Sequence, residues 1–135
     1  LEIGKGIKLK DGNDVTIVAT GHLVWEAIKA SEELAKNGIN AEIINIHTIK
    51  PLDEDIILQS VSKTGCLVSA EEHNIYGGLG ESISRLLVTK FPCPQEFVGT
   101  KDTFGESGTP SALMNKYGLN SSSIYNSAVD VIKRK

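Results

Sequence analysis

Gly65-Cys66-Leu67-Val68-Ser69-Ala70-Glu71-Glu72-His73-Asn74-Ile75-Tyr76-Gly77-Gly78-Leu79-Gly80 is the stretch that decides the fold. Cys66 to Val68 is a short apolar run with the look of a buried strand, and the strand is expected to run from Cys66 to Ala70. Glu71, Glu72 and His73 follow, three residues that can titrate or coordinate. Glycines then open a helical pattern carried by Leu79, Ile83, Leu86 and Leu87. A buried strand, a polar loop and a glycine-started helix in that order mark the carboxyl edge of a parallel α/β sheet, where ligands usually bind.

Working outward, the same unit recurs. Upstream, Val15 to Ala19 is a nearly unbroken apolar run, broken by Thr20-Gly21-His22. Leu23 to Lys36 then has helical spacing, with Val24, Ala27, Ile28, Leu34 and Ala35 on one side, and Asn37-Gly38 ends it. Ala41 to His47 is a second interior strand, rich in isoleucine. Lys50-Pro51-Leu52-Asp53 turns into a helix that Asp53 can cap, with Glu54 and Asp55 suited to its positive end. Downstream, Glu96 to Gly99 is a short last strand. Thr109-Pro110 starts a helix with Leu113, Met114 and Tyr117 inward. Ser121, Ser122 or Ser123 caps a final one bearing Ile124, Ala128, Val131 and Ile132. Ile7 to Lys10, before the Asp11-Gly12-Asn13-Asp14 turn, reads as a half-exposed edge strand in a hairpin with Val15–Ala19. Crossover helices between apolar strands require a parallel sheet covered on both faces. The expectation is a three-layer α/β/α fold with about five strands, one antiparallel.

Length and composition narrow the function classes. The 135 residues fit one domain, and a chain of that size buries roughly two-thirds of its unfolded surface. A net charge of −3, with Lys and Arg spread along the chain, argues against nucleic acid. No apolar run approaches the ~20 residues of a membrane span, and Leu1 to Lys10 lacks the apolar core of a signal peptide. Two cysteines, Cys66 and Cys93, make no disulfide framework, so a reducing cytoplasm is the expected setting.

Three histidines, His22, His47 and His73, each fall just after a predicted parallel strand, which places them together on the carboxyl edge. None has the i, i+4 spacing of helical metal ligands, so loop-exposed or capping histidines are favoured over a metal site. Glu71-Glu72-His73 has the residue types of a carboxylate–imidazole pair for proton transfer. Successive strand residues point to opposite faces, so at most one glutamate joins His73. Gly77-Gly78-Leu79-Gly80 has neither the three-glycine dinucleotide fingerprint in the first turn nor the Lys-Ser/Thr of a P-loop. Tight turning and close helix–sheet packing account for it better than phosphate. Thr103 to Gly108 lacks the strand–turn–helix context of a nucleophile elbow. From the residues alone this is a compact α/β domain with a polar edge and no complete catalytic set.

Four stretches in order carry a family resemblance. They are Asp14-Val15-Thr16-Ile17-Val18-Ala19-Thr20-Gly21, Ile44-Asn45-Ile46-His47-Thr48-Ile49-Lys50-Pro51-Leu52-Asp53, Glu71 through Gly80, and Phe104-Gly105-Glu106-Ser107-Gly108-Thr109-Pro110 with Tyr117-Gly118-Leu119. Together they resemble the C-terminal domain of transketolase, in the form found where the enzyme is split into two polypeptides. Residues 1–135 would be that domain. The Lys-Pro-Leu-Asp and Glu-Glu pieces are also similar to deoxyxylulose-phosphate synthase and the beta subunit of 2-oxo acid dehydrogenases. The resemblance implies an enzyme moving a two-carbon ketol unit between sugar phosphates with thiamine diphosphate and magnesium. It implies a dimer in which the cofactor lies between the N-terminal and middle domains. This sequence has no Gly-Asp-Gly followed by Asn, the mark of that site. The expectation is therefore a domain that binds no cofactor or metal, supports the dimer and packs on the cofactor-binding domains. His47, at the place of a basic residue in related enzymes, is the first candidate to line the substrate entrance, with His73 and Glu72 beside it. A small-ligand regulatory module, binding a nucleotide or anion at the glycine-rich edge, is the competing reading.

Overall fold

The computed structural model describes residues 4–74, 78–100 and 119–135, the side chains of His73, Asn74 and Thr100 excepted. Its elements are β1 (Ile7–Lys10), β2 (Val15–Ala19), α1 (Leu23–Lys36), β3 (Ala41–Asn45), α2 (Glu54–Thr64), β4 (Leu67–Asn74), α3 (Leu79–Lys90), β5 (Gln95–Thr100) and α4 (Ser121–Lys133). The helix expected after Thr109-Pro110 lies outside the described residues.

The strands form one five-stranded sheet in the order β1-β3-β2-β4-β5. β3, β2, β4 and β5 are parallel and β1 is antiparallel. The three-layer expectation holds. The hairpin does not: β1 pairs with β3, Ile7 opposite Asn45 and Lys8 opposite Ile44, and β2 lies one strand further in. The physical reason is burial. β2 is buried at every residue and needs a strand on each side, whereas β1 exposes Ile7, Lys8 and Leu9 and belongs at an edge.

Period-two alternation sorts the core into two layers. Val15, Ile17, Ala19, Ile43, Val68 and Ala70 pack under α1 and α4. Val18, Ile44, Ile46 and Leu67 pack under α2 and α3. α1 buries Leu23, Val24, Ala27, Ala30, Ser31 and Leu34, while Ala35 is exposed. Asp53 caps α2 by accepting from the Ile56 N–H, and its other oxygen accepts from the Gly6 N–H at 2.8 Å. Gly65 closes α2 in the left-handed conformation, φ 74°. The cap of α4 is Asn120, whose side chain accepts from the Ser123 N–H, rather than one of the serines after it.

A polar seam runs between the sheet and α2. Thr16 bonds Ser60 at 2.6 Å and Thr64 at 2.7 Å. The buried Glu42 carboxylate takes the Lys63 ammonium at 2.6 Å and the Gly12 N–H at 3.2 Å. Burial alone would push the Glu42 carboxyl up, but bonds from Lys63, Ser60 and Gly12 bring it below its usual value.

Candidate functional site

The carboxyl edge is built by the turns that leave β2, β3 and β4. At the end of β2, Thr20 and Gly21 turn the chain into α1, with Gly21 at φ 58°. His22 occupies the position preceding the helix but its side chain caps nothing, and it is exposed. At the end of β3, His47 sits just past the strand and is also exposed. β4 departs from expectation. It continues through Glu71, Glu72, His73 and Asn74 rather than stopping at Ala70, so this trio is a strand end, not a loop, and His73 lies within the strand. The pairing explains how. Ala70 opposes Val98 and Asn74 opposes Thr100, so β4 spends four steps where β5 spends two. The extra residues bulge at the rim, where no core side chains are required.

The two glutamates have separate tasks set by strand alternation. Glu71 shares the face of Leu67, toward α3. Its Oε1 accepts from the Leu79 N–H and its Oε2 from the Gly80 N–H, both at 2.8 Å. It is buried, so a negative carboxylate is held against the positive N-terminal end of α3 with charge-assisted bonds. Glu72 shares the face of Val68 and Ala70, toward α1. Its Oε1 accepts from the His22 N–H at 2.5 Å. A Cβ on Gly21 would come within 2.9 Å of that same oxygen, so the turn needs glycine for space as well as for its positive φ.

Adjacent residues thus cap two helices in opposite layers. Glu71 is committed to backbone amides and Glu72 to the His22 N–H, while His22 and His47 are exposed. Sequence reasoning weighed both glutamates as acid–base candidates and missed the capping. The available signal was the parity of Glu71 with Leu67 and Ser69, which places it under the helix that follows.

Gly80 is explained by packing. A Cβ on Gly80 would lie 2.5 Å from the Phe97 ring and 2.8 Å from the Ser69 hydroxyl. Gln95 ties this contact together, donating to Ser69 at 3.1 Å and to the Gly80 carbonyl at 3.0 Å. Ile75 to Gly77 lie outside the described residues.

The described residues do not assemble a thiamine diphosphate–magnesium site. Among the described residues no three His, Cys, Asp or Glu side chains converge as metal ligands. At the helix starts, the natural cradle for a diphosphate, the Leu79 and Gly80 N–H groups of α3 are bonded to Glu71, the His22 N–H before α1 is bonded to Glu72, and the Leu23, Val24 and Trp25 N–H groups are bonded to the carbonyls of Thr20, Gly21 and His22. Of the cysteines, Cys66 is buried and its thiol is pushed up to about 11, chiefly by burial. Burial raises Cys93 as well. Neither has the depressed pKa of a nucleophile. No helix among the described residues is long and apolar enough to cross a membrane.

Comparison with known proteins gives the domain family. Residues 4–124 match the model of the transketolase C-terminal domain. The chain belongs to the transketolase C-terminal domain family. Its relatives in that family include a subunit of the 6-deoxy-6-sulfo-D-fructose transketolase of Clostridium sp. (strain MSTE9). That subunit is 46% identical over 133 residues, which span 98% of this chain and 41% of the relative. A putative transketolase C-terminal section of Methanocaldococcus jannaschii is 42% identical, over 99% of this chain and 42% of its own. The 1-deoxy-D-xylulose-5-phosphate synthase of Desulforudis audaxviator is 41% identical over 88% of this chain and 19% of its own.

Among solved structures, a split-gene transketolase described as an inactive beta4 tetramer superposes with a TM-score of 0.96 at 39% identity. The match covers all of this chain and 44% of that one. The transketolase of Pichia stipitis shares the fold at a TM-score of 0.68 and 20% identity. This transketolase-family domain therefore spans about two-fifths of its split-type relatives.

Proposed function

We propose that residues 1–135 form the C-terminal domain of a thiamine-diphosphate-dependent transketolase that moves a two-carbon ketol unit between sugar phosphates. In this reading the domain binds neither thiamine diphosphate nor magnesium and does no chemistry alone. It packs on the cofactor-binding N-terminal and middle parts of the enzyme, supports a homodimer and works in the cytoplasm. His47 and His73, with Glu72, line the substrate entrance from the carboxyl edge. The observation that carries the reading is the match to the family over residues 4–124 together with split-type relatives of which the chain is two-fifths. The capped edge supports it from the other side: the first amides of α3 are held by Glu71, and the start of α1 is occupied by Glu72 on the His22 N–H and by the chain's own carbonyls.

The test is reconstitution. The enzyme containing this domain and its cofactor-binding parts is assayed with thiamine diphosphate, magnesium, a ketose phosphate donor and an aldose phosphate acceptor. Ketol transfer by the assembly, and none by the 135-residue chain, is the expected result. Transfer undiminished when this domain is removed would overturn the assembly role. Absence of any ketol transfer would overturn the transketolase reading.

A further inference from the structure

β5 is one edge of the sheet, with no strand beyond it among the described residues. Its register decides which main-chain groups that leaves over. Leu67 lies opposite Gln95 in the parallel β4–β5 pair, and the Leu67 N–H donates to the Pro94 carbonyl at 3.1 Å. Main-chain groups alternate in direction along a strand. Glu96 and Val98 therefore turn theirs to β4, while Gln95, Phe97 and Gly99 turn theirs outward. Phe97 is 38% exposed on this edge. A row of outward N–H and C=O groups beside an apolar side chain is a template for a further strand.

The two edges of the sheet are protected differently. β1 is four residues long, carries Lys8 and Lys10, and breaks its register between them. Shortness, charge and a bulge all discourage pairing. β5 has six residues around an apolar centre, Phe97-Val98, and its protection comes from another layer. Arg134, at the end of α4, donates from Nη1 to the Gln95 carbonyl at 2.9 Å and pairs with the Glu96 carboxylate. An exposed ion pair alone contributes little to stability. The bond to the edge carbonyl is what singles Arg134 out: it takes one of the outward acceptors, and the guanidinium sits on the path an added strand would follow.

We propose that Arg134 guards the free edge of β5 and keeps it from pairing with the β5 of a second copy. The strand is self-complementary for that pairing. About a two-fold axis beside Phe97, Phe97 faces its own copy and Gln95 faces Gly99 of the second copy, so outward groups meet outward groups in an antiparallel ladder. The Gly99 N–H of one copy then needs the Gln95 carbonyl of the other, which is the acceptor that Arg134 holds.

The test uses the full-length polypeptide. The Arg134 side chain is half-exposed, so its truncation leaves the core intact. Sedimentation over a concentration series is expected to show Arg134→Ala self-associating at least about tenfold more tightly than the parent. Hydrogen exchange of the Phe97 and Gly99 amides, read by mass spectrometry with residue-level fragmentation, slows with concentration in that variant and not in the parent. Adding Phe97→Lys, which puts a charge on the edge, returns association to the parent value. Lys133→Ala, which removes a charge from the same exposed helix end, leaves it unchanged. Association of Arg134→Ala equal to that of the parent overturns the inference. So does tighter association with unchanged exchange at Phe97 and Gly99, which would place the contact elsewhere. Slow exchange of those amides in the parent at every concentration overturns it too, because the edge would already be covered.

Discussion

The Glu71 carboxylate accepts the Gly80 backbone N–H at 2.8 Å, joining the end of β4 to the first turn of the helix that follows it. With the Leu79 bond, this holds a buried charge on two amides that have no partner within the helix. The strand end and the start of α3 are thereby tied into one corner.

Glu71→Gln tests that corner. An amide keeps the shape but loses the charge, and turns one donor toward backbone donors. Leaving buried donors poorly satisfied costs about 1.5–3 kcal/mol when a charged group is involved. Urea unfolding is expected to show that loss with an unchanged m-value. A loss below about 0.5 kcal/mol would show that the corner does not depend on the carboxylate.

Gly80→Ala tests the packing beside it. Alanine favours helix, but its methyl meets the Phe97 ring and the Ser69 hydroxyl. Overpacking of this kind costs about 1–3 kcal/mol. Adding Phe97→Leu relieves the larger contact and is expected to recover part of the loss in thermal melting. Strict additivity of the two changes would contradict the contact.

Glu42 predicts an acid limb of stability. Its carboxyl lies below the ordinary value of 4.5, so the folded state holds its proton more weakly than the unfolded chain does. The stabilisation is fully present above that ordinary value and is lost as pH falls through the folded one. Stability measured by denaturant from pH 7 downward should fall less steeply below about pH 4.5 in Glu42→Gln than in the parent. Superimposable acid limbs would remove Glu42 from the account.

Cys66 predicts an alkaline limb of opposite sign. Its thiol sits at about 11 against an ordinary 9.0. The contribution is therefore intact below the unfolded value and is lost as pH rises toward about 11. At pH 8 a thiol reagent should modify Cys66 only at the rate of unfolding, and Cys66→Ala should flatten the alkaline limb. Rapid labelling in the native protein would contradict its burial.

His47→Ala addresses the proposed site. In the assembled enzyme a loss of about tenfold in kcat/KM, equivalent to about 1.4 kcal/mol, is expected if the exposed imidazole meets substrate phosphate. The loss should fall mainly on KM for the phosphorylated substrate. Unchanged kinetics in both His47→Ala and His73→Ala would leave this edge purely structural.

The sequence by itself determined the layers and the order of the elements. Apolar runs such as Val15–Ala19, helical spacing such as that of Leu23–Lys36, and the local Asp53 cap are written in neighbouring residues, because strand and helix periods and capping bonds act over a few positions. It also carried the family, through stretches spread along the chain. Tertiary structure alone decided what depends on distant partners. β1 joined β3 rather than β2 because only an edge tolerates its exposed side chains. β4 ran on through Glu71-Glu72-His73 because its neighbour offered a bulged register. The two glutamates became caps for different helices because alternation aims adjacent side chains at opposite layers, and only the assembled layers supply the amides they reach.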